Sequence, residues 1–187
     1  MKNILLVVDI QNGFIVNEMT KNTLHNVEEL LQASLFDAVV STKYVNYPGS
    51  PIIKLMGWDL LLTEKEQALA GSVASYTDRI ITKTRYSSVN DSLIETLKEL
   101  NNGELPGYLF VLGVDTECCV LSTAIDLFEI GIRPIILSAY CGSSGGESYH
   151  HAGILSLHHL IGKNNIYDGK VCSSADIEDI VNKIHVF

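Results

Sequence analysis

Runs of apolar residues recur along the chain at Ile4–Val8, 38–41, 79–82, Tyr108–Gly113 and 133–137, with a weaker one at 165–167. Each has the length of a buried strand. Between them, at 22–33, 64–70, 90–100, 116–130 and 146–161, and after the last at 174–184, lie segments compatible with helices packed on one face. Alternating strands and helices predict a three-layer α/β/α, Rossmann-like domain around a six-stranded parallel sheet covered on both faces. One stretch breaks the rhythm. Residues 44–62 (YVNYPGSPIIKLMGWDLLL) hold two of the four prolines and the only tryptophan, and so predict a long ordered excursion beside a binding site.

A chain of 187 residues, 47% apolar and 19% charged, suits a single domain over 1–187. Its formal charge of −9, with only 13 scattered Lys and Arg, argues against a nucleic-acid partner and leaves a small molecule as the expected ligand. The opening MKNILLVVDIQ has too short an apolar run for a secretion signal, because Asp9 interrupts it. No later run approaches the length of a membrane span, so the expectation is a cytoplasmic protein with no membrane partner. Four cysteines, two of them adjacent and none in a C-x-x-C, do not form a disulfide framework. Neither G-x-G-x-x-G nor G-x-x-x-x-G-K-[ST] occurs, which removes the usual phosphate cradles. His150, His151, His158 and His159 share one helix without the i, i+4 spacing of a metal pair, while His25 and His185 stand alone. No metal and no cofactor are expected. The mixed apolar and histidine surface of that helix points to a homo-oligomer.

In an open parallel sheet ligands gather beyond the carboxyl ends of the strands, where strand order reverses. Asp9 follows the first strand, Lys83 the third and Cys118–Cys119 the fourth. Singly each has a plain structural role: a turn cap, a solvated lysine, a pair of small buried hydrophobes. Together they are a base, a cation and a nucleophile on one sheet edge. Asp9 ends an apolar strand, where burial disfavours a charge unless a cation such as Lys83 is near. The stretch GYLFVLGVDTECC reads strand, turn, helix, with Asp115 or Thr116 as the cap and the thiols in the first turn. A helix N-terminus and a lysine favour a thiolate, so the reactive cysteine is expected to titrate below the ~8.5 of a free thiol, with the Asp9 carboxylate pushing the other way. Successive helical residues point about 100° apart, so only one cysteine should face the strand ends.

Three segments in order, LLVVDIQNGF, KTRYSS and GVDTECCVLSTA, resemble the isochorismatase-like cysteine hydrolases, which include nicotinamidases, biuret and N-carbamoyl amidases and isochorismatases. The resemblance covers nearly the whole chain and implies strand order 3-2-1-4-5-6. Aligned on Val120 and Thr123–Ala124, it implies that Cys119 is the nucleophile and that Asp9 and Lys83 complete the catalytic triad. It also implies a cis peptide before Asp115, with the backbone N–H groups of Asp115 and Cys119 as the oxyanion hole. Phe14 is implied as a substrate-stacking ring; Tyr44, Trp58 and Tyr86 extend an aromatic wall, and Arg85 is a candidate for a substrate carboxylate. The Asp-x-His of the metal-dependent nicotinamidases is absent after the second strand, and Gly13 stands where an acidic residue is common. The implied activity is cysteine-dependent hydrolysis of a small amide or ureide C–N bond through a thioester. The alternatives are an isochorismatase-type or catalytically silent small-molecule binder, or a redox-responsive thiol protein.

Overall fold

Every residue of β1 (Ile4–Val8) is fully buried, which is why this strand reads as a continuous apolar run instead of an alternating one. The computed structural model describes residues 2–184, and His185 lies outside them. On one side β1 pairs with β2 (Ala38–Tyr44), which pairs with β3 (Arg79–Lys83); on the other it pairs with β4 (Tyr108–Gly113), then β5 (Arg133–Cys141) and β6 (Ile166–Tyr167). All pairings are parallel, in the order β3-β2-β1-β4-β5-β6. The order reverses between β1 and β4, so a crevice opens beyond Val8 and Gly113, which sit opposite each other in the register.

The helices are α1 (Glu18–Gln32), α2 (Pro51–Met56), α3 (Glu64–Gln67), α4 (Asp91–Leu100), α5 (Leu121–Glu129), α6 (Glu147–Leu160) and α7 (Ser174–Ile184). α1 starts earlier than the expected 22 because the Asn17 side chain accepts from Thr20 N–H while Thr20 answers the Asn17 N–H, a reciprocal cap. β5 runs four residues beyond its expected end, and α3 stops three residues short of 70, where Ala68 turns extended. The expected helix 116–130 divides into a π-helical turn at Thr116–Val120 followed by α5.

The excursion 44–62 is ordered by Asn46. Its amide donates to the Leu60 and Trp58 carbonyls and its oxygen accepts from Ser50 Oγ and Tyr47 N–H. Ser50 caps α2, with Pro51 in the first turn. Leu61 from this segment lies against Gly13, and a Cβ there would press on it and on Glu66. No helix among the described residues is long and apolar enough to cross a membrane.

The approach of β4 to β1 depends on Gly113, whose φ is +129° and whose missing Cβ would run into the Val8 carbonyl oxygen. Gly57, also at positive φ (72°), has open space around it. Gly113→Ala is expected to cost ~3 kcal/mol or more through combined strain and clash, and Gly57→Ala only about 1 kcal/mol. Urea denaturation of the two variants checks this, and equal costs would contradict the close approach.

Candidate active site

Asp9 follows β1 in the left-handed region, φ +50°, and is fully buried. Such a backbone costs about 1–3 kcal/mol and persists only where its surroundings fix it. Thr42 at the end of β2 does so twice: its hydroxyl accepts from the Asp9 N–H at 3.1 Å and donates to Asp9 Oδ1 at 2.6 Å. Oδ2 lies 2.6 Å from Lys83 Nζ as an ion pair. Two of the three lysine hydrogens go to the carbonyls of Arg85 and Tyr86, at 3.1 and 2.7 Å, which leaves one for Asp9 and Cys119. Burial works against the Lys83 charge, but the nearby Asp9 and Cys119 outweigh it and hold its pKa above the ordinary lysine value.

Cys119 is buried and in hydrogen-bonding contact with both Asp9 and Lys83. Cys118 is half-buried and feels Lys83 only through space. Both line the same cavity. The expected acidic thiol is corrected. Burial above all, and then the Asp9 charge, push Cys119 well above the usual thiol range against the pull of Lys83, so the resting pair keeps its proton on sulfur. Burial with Glu117 and Asp115 pushes Cys118 up to about 11, and burial pushes Cys141 to about 12.

The peptide bond from Val114 to Asp115 is cis. The Asp115 N–H has no acceptor among the described residues, and the Cys118 and Val120 N–H groups both return to the Asp115 carbonyl, passing over Cys119. Asp115 is the N-cap residue, one of the two expected, but its side chain makes no capping hydrogen bond. Its carboxylate accepts instead from Ser144 N–H and Oγ, each at 2.6 Å. Burial, opposed by those two bonds, raises the Asp115 carboxyl to about 6, and the charges of Glu117 and Asp9 add to the effect.

The cavity in front of Cys119 has a volume of about 170 Å³. Phe14, Tyr44, Trp58 and Tyr86 line it together with Asp115 and Ser144, and α2 contributes Ile52 and Met56. Phe14 stacks on Trp58 at 6.1 Å, and the Tyr44 ring covers Lys83 Nζ at 5.4 Å. Arg85 is not brought to this cavity. The turn that aims the Arg85 carbonyl at Lys83 leaves its side chain exposed along adjoining grooves. The residues after β2 do not fit a metal: Asn46 is consumed in ordering the excursion, and no cluster of three His, Cys, Asp or Glu among the described residues could hold an ion.

Sequence reading missed three supports. Thr42 lay one residue beyond the strand expected at 38–41, with nothing local to mark it. Gln11 had a signal in the opening motif: its buried amide bonds the Tyr44 N–H and carbonyl and the Gln67 carbonyl, joining β1, β2 and α3. His150 on α6 meets Thr116 Oγ1 at 2.8 Å. Since the Thr116 hydroxyl donates to the Gly142 carbonyl, the network assigns the ring proton to Nδ1 of His150. Burial, with His151, lowers the His150 pKa and keeps the ring neutral.

Fold and site together define an α/β protein with a buried Asp–Lys–Cys cluster at a topological switch point. The isochorismatase domain model matches residues 3–164, and the chain belongs to the isochorismatase family. An isochorismatase-like hydrolase from Alkaliphilus metalliredigens superposes with a TM-score of 0.72 at 19% identity, covering 96% of this chain and 98% of that one. The nicotinamidase PncA from Bacillus subtilis gives 0.70 at 22% identity over 87% and 97%. N-carbamoylsarcosine amidase from Thermoplasma acidophilum gives 0.70 at 20% identity over 87% and 94%. No curated protein sequence matches it.

Two stability measurements probe this geometry. Thr42→Val keeps the shape but strands a buried donor and acceptor of Asp9, and should cost about 2–5 kcal/mol in urea denaturation; a loss below about 0.5 kcal/mol would show that Thr42 does not hold Asp9. Asp115 carries a penalty for ionising inside the fold. Because its folded pKa lies above the ordinary 3.8, that penalty is fully present above pH 6 and vanishes once both folded and unfolded forms are protonated. Asp115→Asn should therefore stabilise the protein by about 1–3 kcal/mol at pH 8, the gain disappearing by about pH 4. A constant gain across the pH range would contradict the raised carboxyl.

Proposed function

We propose that the protein is a hydrolase of a small amide or ureide C–N bond, acting through a thioester on Cys119. The observation that carries this reading is the contact of one buried thiol with a buried carboxylate that is paired with a lysine. In the resting site sulfur holds the proton, and Oδ2 is the base that receives it as sulfur attacks the substrate carbonyl carbon. Lys83 offsets the resulting charge and stays in place through its two carbonyl partners. The carbonyl oxygen becomes an oxyanion between the N–H groups of Asp115 and Cys119; losing one such donor typically costs ~10²–10³ in rate.

Collapse of the tetrahedral adduct breaks the C–N bond as Asp9 returns the proton to the leaving nitrogen, releasing ammonia or an amine. The acyl group remains on sulfur. Water then attacks the thioester while Asp9 takes its proton; the acid leaves, and Asp9 returns that proton to the thiolate. Atoms balance as amide plus water to acid plus amine. No step needs a cofactor. A high thiol pKa suits this sequence, because a neutral thiol beside a fixed base avoids two buried anions in the resting enzyme.

The family match and the nicotinamidase and N-carbamoylsarcosine amidase folds support amide chemistry. Cys118 has no aligned base and is assigned to the cavity wall. Ammonia release from a panel of small amides and ureides tests the reading. Cys119→Ser should abolish turnover, Cys118→Ser should retain it, and Asp9→Asn should lower kcat by ~10²–10⁴ with the fold intact. Turnover should survive a chelator. Full activity in Cys119→Ser would overturn the mechanism.

A further inference from the structure

The cavity in front of Cys119 is not the end of the hollow on this side of the sheet. A groove of about 300 Å³ adjoins it, and Tyr44, Ile52, Met56 and Tyr86 line both. These shared side chains are the partition. Across it the Tyr86 hydroxyl donates to the Met56 sulfur at 3.7 Å. A thioether is a weak acceptor, and Met56 is 69% exposed on an unbranched side chain with three rotatable bonds. A ligand can displace that contact at little cost.

The groove has features that neither packing nor the proposed reaction uses. Leu55 on its α2 wall is 84% exposed, so apolar surface faces solvent beside the reacting centre. No Asp or Glu lines the groove, but Arg85 does. The Arg85 carbonyl serves Lys83, whereas its guanidinium makes no ion pair among the described residues, not even with Asp91 in the other groove that Arg85 borders. In a chain of net charge −9, an arginine left without a carboxylate can offer its planar fork to an anion from outside. The inner cavity alone is small: about 170 Å³ compares with the ~150 Å³ cavity that holds one benzene molecule. Anything longer must run into the groove.

We propose that the groove is a second substrate subsite: it takes an apolar arm attached to the acyl carbon of the amide, and the Arg85 guanidinium pairs with a carboxylate at the far end of that arm. The favoured substrate class is the half-amide of a saturated dicarboxylic acid long enough to reach from one compartment to the other. Its hydrolysis balances as half-amide plus water to dicarboxylate plus ammonium, with the acyl group on Cys119 in between. The proposal rests on the hydrolase reading for turnover, not for binding.

Adipamate, hexanamide and acetamide separate the parts: an arm with a charge, the arm alone, and neither. Ammonia release gives kcat/KM for each. Hexanamide should exceed acetamide by about tenfold or more, the worth of the extra buried methylenes. Adipamate should exceed hexanamide by about tenfold, mostly through KM, as one charge-assisted pair would give. In Arg85→Gln the preference for adipamate over hexanamide should shrink to within about threefold, and Arg85→Lys, which keeps the charge, should restore part of it. Calorimetric titration of adipamate and hexanamide into Cys119→Ser protein reads the same preference without turnover. Equal kcat/KM for adipamate and hexanamide, or a preference that Arg85→Gln leaves unchanged, would overturn the subsite and leave the hydrolase reading standing. Arg85-dependent binding of adipamate with no ammonia released from any amide would overturn the hydrolase reading alone.

Discussion

The contact between Asp9 and Lys83, sealed under β1 and β3, is the constraint around which the rest of the site is arranged. A buried ion pair is expensive to desolvate, and removing one partner strands the other charge at a cost of about 3–5 kcal/mol. The fold holds it by sharing out the remaining valences. Thr42 takes one carboxylate oxygen and the Asp9 N–H, two carbonyls take two of the three ammonium hydrogens, and the Tyr44 ring covers the lysine. The second carboxylate oxygen pairs with Lys83, and the thiol sits against both groups. The left-handed backbone at Asp9 and the turn after Lys83 follow from the same geometry.

Sheet topology does the positioning. Because β4 lies directly against β1, with Gly113 opposite Val8, the turn carrying Cys119 begins at Thr116, just beyond the residue that faces Asp9's strand. Gly153 on α6 has no side chain where the π turn approaches it. Thr116 is tied to Gly142 at the end of β5 and to His150 on α6. The first turn of the cysteine helix is thus fixed from two directions, which is why its wider spacing is tolerated.

Much of this was legible in the chain. The parallel character of the sheet follows from apolar runs alternating with helical segments, its strand order from the family resemblance, and the positions of Asp9, Lys83 and Cys119 after their strands place them on one edge. What escaped was non-local. Asn17 starts α1 early through a cap whose partner is Thr20; Thr42 holds Asp9 from a neighbouring strand 33 residues away; Ser144 reaches Asp115 across 29 residues. Arg85 was assigned to the pocket from its strand-end position, but the backbone turn that serves Lys83 sends it outward. The acidity of Cys119 was misjudged for a physical reason as well: helix polarity and a nearby lysine were visible in sequence, whereas complete burial beside a carboxylate is a property of the fold.

The central claim is that sulfur of Cys119, deprotonated by Asp9, becomes acylated during turnover. Acid quenching of the enzyme at steady state with a hydrolysed amide, followed by peptide mass spectrometry, reads this directly. The account predicts a mass increase equal to the amide less ammonia on the peptide carrying Cys118 and Cys119, fragmenting to Cys119 and persisting in Cys118→Ser. Acylation located on Cys118 would contradict it.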